Sequence, residues 1–225
     1  MPSLRELVAF VSLITSQLNL KKIMVIDFDV HHGDGTQEIF YSDDSVIFCS
    51  VHRKSIFPKH LSKGHMSIGE GKGKGYNVNI NLEQGLKNGD LLAVFDYVFV
   101  PLAEEFNPDI VLISAGFDAA IDDPLGVSYV TPRCFGELIC RAKTISHGKL
   151  VLALEGGYCT ESLAESCAEC VNELLDEGST QIAKCKYEDA DSSMWKVIAE
   201  VCSVLGEYWP CLKGVAPHED EPSDP

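Results

Sequence analysis

Two stretches of this chain, Ile110-Val111-Leu112-Ile113 and Leu150-Val151-Leu152-Ala153-Leu154, are apolar at every position. A strand with one wet face alternates apolar and polar residues, so uninterrupted runs predict strands covered on both sides, as in parallel sheets. Three further runs read as strands: Lys22 to Ile26, Val46 to Val51 and Tyr76 to Ile80. Between several of them lie segments of helix length with apolar residues three and four apart, notably Gly89 to Phe106 and Pro132 to Ser146. This alternation predicts an α/β fold of three layers, a mostly parallel sheet with helices on both faces. Pro101 should kink or break the helix that contains it, and Asn107-Pro108-Asp109 should turn the chain into the next strand. Two more helices are expected, Thr160 to Leu175 and Ser193 to Tyr208, separated by a polar linker.

At 225 residues and 45% hydrophobic, the chain can bury a single-domain core. Its formal net charge of −16 argues against direct nucleic-acid binding, because a grip on phosphates needs a basic face. An acidic surface would instead draw basic peptide tails. Nine cysteines without a signal peptide point to reduced intracellular thiols rather than a disulfide framework. The Cys167-x-x-Cys170 pair has no second pair and is expected on a helix face. The run from Leu4 to Leu20 is interrupted by Arg5, Glu6, Gln17 and Asn19, so no membrane association is expected. Residues 213–225 read as an acidic, disordered tail behind a domain of residues 1–212.

In open parallel sheets, ligands bind beyond the carboxyl ends of the strands. Four polar clusters fall there: Asp27 to Gly35, Ser50-Val51-His52, Gly116-Phe117-Asp118 and Glu155-Gly156-Gly157-Tyr158. In extended backbone Asp27, Asp29 and His31 project to one side. Carboxylate and imidazole at that spacing suit a divalent metal, and Asp118 would be the third ligand, leaving one position open as catalytic zinc requires. Taken singly, each acid could equally cap a helix or close a turn. His32 and His52 are read as packed rings without a catalytic part. Gly69 to Gly75 lacks the Gly-Lys-Ser/Thr ending and following helix of a phosphate loop and is read as a flexible surface loop.

The motifs Asp27-Phe28-Asp29-Val30-His31-His32-Gly33-Asp34-Gly35, Ser114-Ala115-Gly116-Phe117-Asp118, Asp123-Pro124-Leu125-Gly126 and Leu154-Glu155-Gly156-Gly157-Tyr158 resemble those of zinc-dependent histone deacetylases, class II in type. The resemblance runs from about Lys21 to Leu175 and implies the arginase/deacetylase-like fold. It implies that Asp29, His31 and Asp118 bind zinc and that the Tyr158 hydroxyl is catalytic, donating to the oxyanion. It also implies a structural potassium ion held by Asp27, Asp29, Ser50 and the His31 and Val51 carbonyls. Phe57 would line the acetyl-lysine tunnel, Leu125 would stand at its gate, and Asp34 would support the metal site from behind. An apolar Leu125 favours acetyl-lysine over acetylpolyamines.

The implied activity is zinc-dependent hydrolysis of N-acetyl-lysine amides in histones or other proteins. Acetylated protein tails and co-repressor proteins would be the partners, in chromatin regulation and transcription repression, and the nucleus and/or cytoplasm the location. The family's N-terminal segment with its Gly-His-His motif is not found, so the expectation is an N-terminally incomplete domain from a truncated product or splice form. His31-His32 does not replace that motif, since His31 is the expected ligand. Weak activity is therefore one expectation. The alternative is a catalytically impaired zinc-binding interaction module.

Overall fold

The computed structural model describes residues 17–54, 64–83, 85–176 and 187–215, together with 11, 13 and 56. Its strands are β1 (Ile23–Asp27), β2 (Val46–Arg53), β3 (Asn77–Leu82), β4 (Ile110–Ala115) and β5 (Leu150–Leu154). All pair in parallel, in the order β3-β2-β1-β4-β5. The chain steps outward from β1 to β3, then crosses back and resumes on the other side of β1. The order therefore reverses between β1 and β4, and the loops leaving these two strands diverge to open a crevice.

Side chains alternate across the sheet as strand geometry requires. Met24, Ile26, Ile47, Cys49, Val111 and Ile113 enter the larger core, which also holds apolar residues of the helices Pro132–Ile145 (α4) and Ser192–Leu205 (α6). Ile23, Val25, Val46, Phe48, Ile110 and Leu112 point the other way, into a smaller core closed by Val11, Leu20 and Phe40. Phe40 ends α1 (Asp34–Phe40). β1, β2 and β4 are thus covered on both faces, which is the three-layer arrangement expected.

Asn88 to Phe106 is continuous but not uniform. It runs as α2 (Asn88–Val94), a π turn (Phe95–Phe99) and α3 (Val100–Phe106). Pro101 does not break it. The wider turn, marked by the Val100 N–H donating to the Phe95 carbonyl, takes up the residue whose ring would otherwise press on the preceding turn. The helix ends at Asn107, whose φ of 53° is left-handed. α5 (Thr160–Leu175) matches its expected span, while α6 stops at Leu205, before a short 3₁₀ turn, Pro210–Leu212.

Two expectations are corrected. β5 is not covered on both sides: it is the edge strand of the described sheet, with only β4 beside it, and Val151 and Leu154 are 38% and 60% exposed. The glycine-rich Gly69 to Gly75 segment is pinned rather than free. The Glu70 N–H donates to Tyr41, the Gly75 N–H donates to Ile68, and the Trp209 indole donates to the Gly75 carbonyl at 2.7 Å. No helix among the described residues is long and apolar enough to cross a membrane.

These burial differences predict unequal responses to truncation. Leu112→Ala should cost about 2–5 kcal/mol and Leu154→Ala under about 1 kcal/mol, measured by urea unfolding at matched m-values.

Candidate metal centre

Asp29 and His31 leave β1, and Asp118 leaves β4, on either side of the crevice where strand order reverses. They are held there from below by three rings. Phe28 and Phe117, each one residue before an acid of the site, pack on each other at 6.1 Å between centroids and on Phe135 of α4 at 5.5 and 5.1 Å. Burying these rings fixes both loops to one helix and turns the neighbouring side chains toward the crevice.

His31 Nδ1 stands 2.9 Å from both Asp29 Oδ1 and Asp118 Oδ2. The ligand atoms of the three residues lie within 4.8 Å of one another. Backbone amides fix the carboxylates: Val30 N–H donates to Asp118 Oδ1 at 2.8 Å, His31 N–H to Asp29 Oδ1 at 2.8 Å, and Gly156 N–H to Asp29 Oδ2 at 3.2 Å. Space is kept open by glycine. A Cβ on Gly156 would lie 2.5 Å from Asp118 Oδ2 and 2.7 Å from Asp29 Oδ2, and one on Gly116 would overlap the Asp29 carboxylate.

The electrostatics are those of a cation site whose cation is a proton. Hydrogen bonds from its Nδ1–H to Asp118 and Asp29 raise the His31 imidazole to about 10. Burial pushes Asp118 up to about 6, while Asp29, although burial opposes it, is lowered by its side-chain and backbone bonds from His31. Two carboxylates and one imidazole nitrogen, converging from fixed backbone, are a donor set that zinc accepts, with room for a further ligand. The residues therefore fit a divalent metal.

Asp27 lies beneath, 4% exposed, accepting the Asp29 N–H at 3.0 Å. Burial and the Asp29 charge hold it well above the usual carboxylate range. Ser50 is its register neighbour on β2, followed by Val51, and both are fully buried; the Ser50 hydroxyl meets His52 Nδ1 at 2.9 Å. His52 stacks on His32 at 4.3 Å, and burial keeps both rings below their ordinary value, hence neutral. Asp34 is not brought to the three ligands. It opens α1, where its charge acts on His32.

Tyr158, between β5 and α5, is 53% exposed; burial, then the charges of Asp118, Asp29 and Asp123, raise its phenol above the ordinary value, so it is protonated at neutral pH. Leu125 lies at the rim, 53% exposed, and Phe57 falls outside the described residues. The structure adds Asp123, Phe135 and the two glycines, which the sequence reading did not single out for the site. Asp123 could have been noticed as an Asp before Pro-Leu-Gly, a pattern whose carboxylate turns back on its own amides.

A parallel α/β sheet with an Asp/His/Asp centre at its reversal point defines the class of protein. Residues 6–174 match the histone deacetylase domain model. Histone deacetylase 5 of Arabidopsis thaliana is 43% identical over 199 residues, covering 87% of this chain and 30% of that protein. Polyamine deacetylase HDAC10 of Danio rerio is 38% identical, over 92% of this chain and 31% of that protein. Among solved structures, the HDA15 HD domain superposes with a TM-score of 0.80 at 32% identity, covering 91% of this chain and 56% of that one. The chain belongs to the histone deacetylase family, as a class II-like member. It spans about 30% of the length of these curated relatives.

Because His31 is raised, the metal-free site contributes stability that is fully present below about pH 6.5 and lost as pH rises through about 10. Zinc must displace that proton. Calorimetric titration at pH 7.5 in buffers of different ionisation enthalpy should show about one proton released per zinc bound, and Gly156→Ala should weaken zinc by about tenfold or more.

Proposed function

We propose that this chain carries the zinc centre of a protein lysine deacetylase, hydrolysing N-acetyl-lysine amides in histone or other protein tails. The observation that carries the reading is the convergence of Asp29, His31 and Asp118 at the switch point, with Tyr158 on the adjoining loop. Zinc, bound by those three, would supply Lewis acidity toward the amide carbonyl.

Residues of the chain itself supply part of the remaining work. Tyr158, kept protonated, donates its hydroxyl to the carbonyl oxygen as negative charge develops, an interaction made only in the transition state. Val30 and Gly156 amides hold the two carboxylates so that the ligand set needs no rearrangement. Leu125 at the rim presents an apolar surface to a lysine stem, which favours acetyl-lysine over the polycationic chain of an acetylpolyamine.

The proposal extends to a potassium ion beneath the zinc, between Asp27, Asp29, Ser50 and the Val51 and His31 carbonyls. The support is Asp27 itself, a buried carboxyl in register with Ser50, whose charged form a cation there would stabilise. Asp34 would steady the His32 end of the same region, and Phe57 would line the substrate tunnel. Acetylated tails and co-repressor proteins, in the nucleus or cytoplasm, are the partners that follow, and the net charge of −16 favours basic tails over nucleic acid.

The test is turnover of an acetyl-lysine peptide by the zinc-loaded chain. Turnover that falls about 10²-fold or more in Tyr158→Phe supports the assignment. Zinc bound without turnover would instead favour a metal-binding interaction module.

A further inference from the structure

The geometry points to Asp123 as a positioning residue that holds Tyr158 and the Leu125 loop as one rigid unit. The inference rests on the reading of Tyr158 as the oxyanion donor. Asp123 is 5% exposed and is not one of the three converging ligands. Its carboxylate reaches in two directions. Oδ1 accepts the N–H groups of Leu125 and Gly126, both at 2.9 Å, and Oδ2 accepts the Tyr158 N–H at 2.7 Å.

Tyr158 needs such a hold. Its side chain is 53% exposed, and among the described residues its hydroxyl has no hydrogen-bond partner, so packing does little to place the ring. Its position is set through its backbone, and the side chain that grips that backbone is Asp123. The same carboxylate fixes the rim, because Leu125 and Gly126 are its other partners.

The loop is secured elsewhere as well. The Gly126 carbonyl accepts from Arg53 Nη1 at 2.7 Å and from the Ser128 hydroxyl at 3.1 Å. Ser162 of α5, four residues beyond Tyr158, donates its hydroxyl to the Ile121 carbonyl at 2.7 Å. Within this frame Asp122 and Val127 are held at φ of 68° and 45°, a region L-residues enter only when surroundings impose it. The segment from Asp118 to Tyr129 is therefore a fixed shape, joined to α5 through Ser162 and to the Tyr158 backbone through Asp123.

The chemistry also explains why an aspartate stands there. All three partners are backbone donors, on both sides of one planar group, so the group must accept at both oxygens. A carboxylate presents an acceptor at each oxygen; a carboxamide would set its NH₂ against an N–H on one side. Substrate selection at Leu125 and oxyanion stabilisation at Tyr158 are thereby coupled: a change that moves the gate moves the hydroxyl.

The experiment is a double-mutant cycle between Asp123→Asn and Tyr158→Phe on the zinc-loaded chain, read as kcat and KM for an acetyl-lysine peptide, alongside amide hydrogen exchange at Tyr158. Should the carboxamide variant not fold, Asp123→Ser, which leaves the amides without opposing them, takes its place. The expected result is a kcat about 10²-fold lower with KM changed by only a few fold, zinc affinity unchanged, and little further loss when the substitution is added to Tyr158→Phe. Exchange at the Tyr158 amide should quicken by about tenfold or more. Full additivity of the two substitutions, or unaltered exchange at Tyr158, would overturn the inference. If the parent chain does not turn over, the deacetylase reading fails on its own, and the exchange measurement still decides whether Asp123 holds Tyr158.

Discussion

Two carboxylates brought to within 2.9 Å of one imidazole nitrogen, in a crevice where Asp118 is fully buried, demand a positive charge between them. In water such an approach would be weak and transient. Here it is enforced by backbone that cannot relax: the acids sit one residue after phenylalanines locked into the core, and amides from Val30, His31 and Gly156 clamp their oxygens. The raised imidazole is the consequence, a proton held where a divalent ion would do better. Everything else in this part of the molecule either creates that approach or leaves room for it.

The sheet order creates it. Because the chain runs β1, β2, β3 toward one edge and returns to place β4 against the other side of β1, the loops after β1 and β4 part company above adjacent strands. A helix could not carry these ligands as economically, since the strand ends supply two fixed points about one interstrand spacing apart. Gly116 and Gly156 then keep the floor clear of side-chain atoms, and the β5 loop brings Tyr158 to the same opening. The long helix makes the return crossing, and its π turn, closed by the Val100 N–H on the Phe95 carbonyl, lies just before Pro101.

Much of this was legible in the sequence, and the reason is the strength of the local signals. The burial of β4 followed from a run with no polar interruption, and the ligands followed from acidic and imidazole residues placed just after the first and fourth runs. The motif resemblance named the same residues that geometry brings together. What escaped is what depends on neighbours distant in the chain. β5 carries the same apolar signature as β4, and its sequence does not record that it has one strand beside it rather than two. The glycine-rich segment reads as free because its anchors, Tyr41 and Trp209, lie outside it. Asp123 reads as a turn residue because its third partner, Tyr158, is 35 positions away.

Asp29, His31 and Asp118 form the proposed site for one divalent metal. Crystals of the zinc-loaded chain, measured on either side of the zinc absorption edge, test it most directly. One anomalous peak is expected, bonded to His31 Nδ1 and to carboxylate oxygens of Asp29 and Asp118, at about 2.0–2.2 Å. A zinc peak placed elsewhere, or none at this site while the three side chains keep their hydrogen-bonded arrangement, would contradict it.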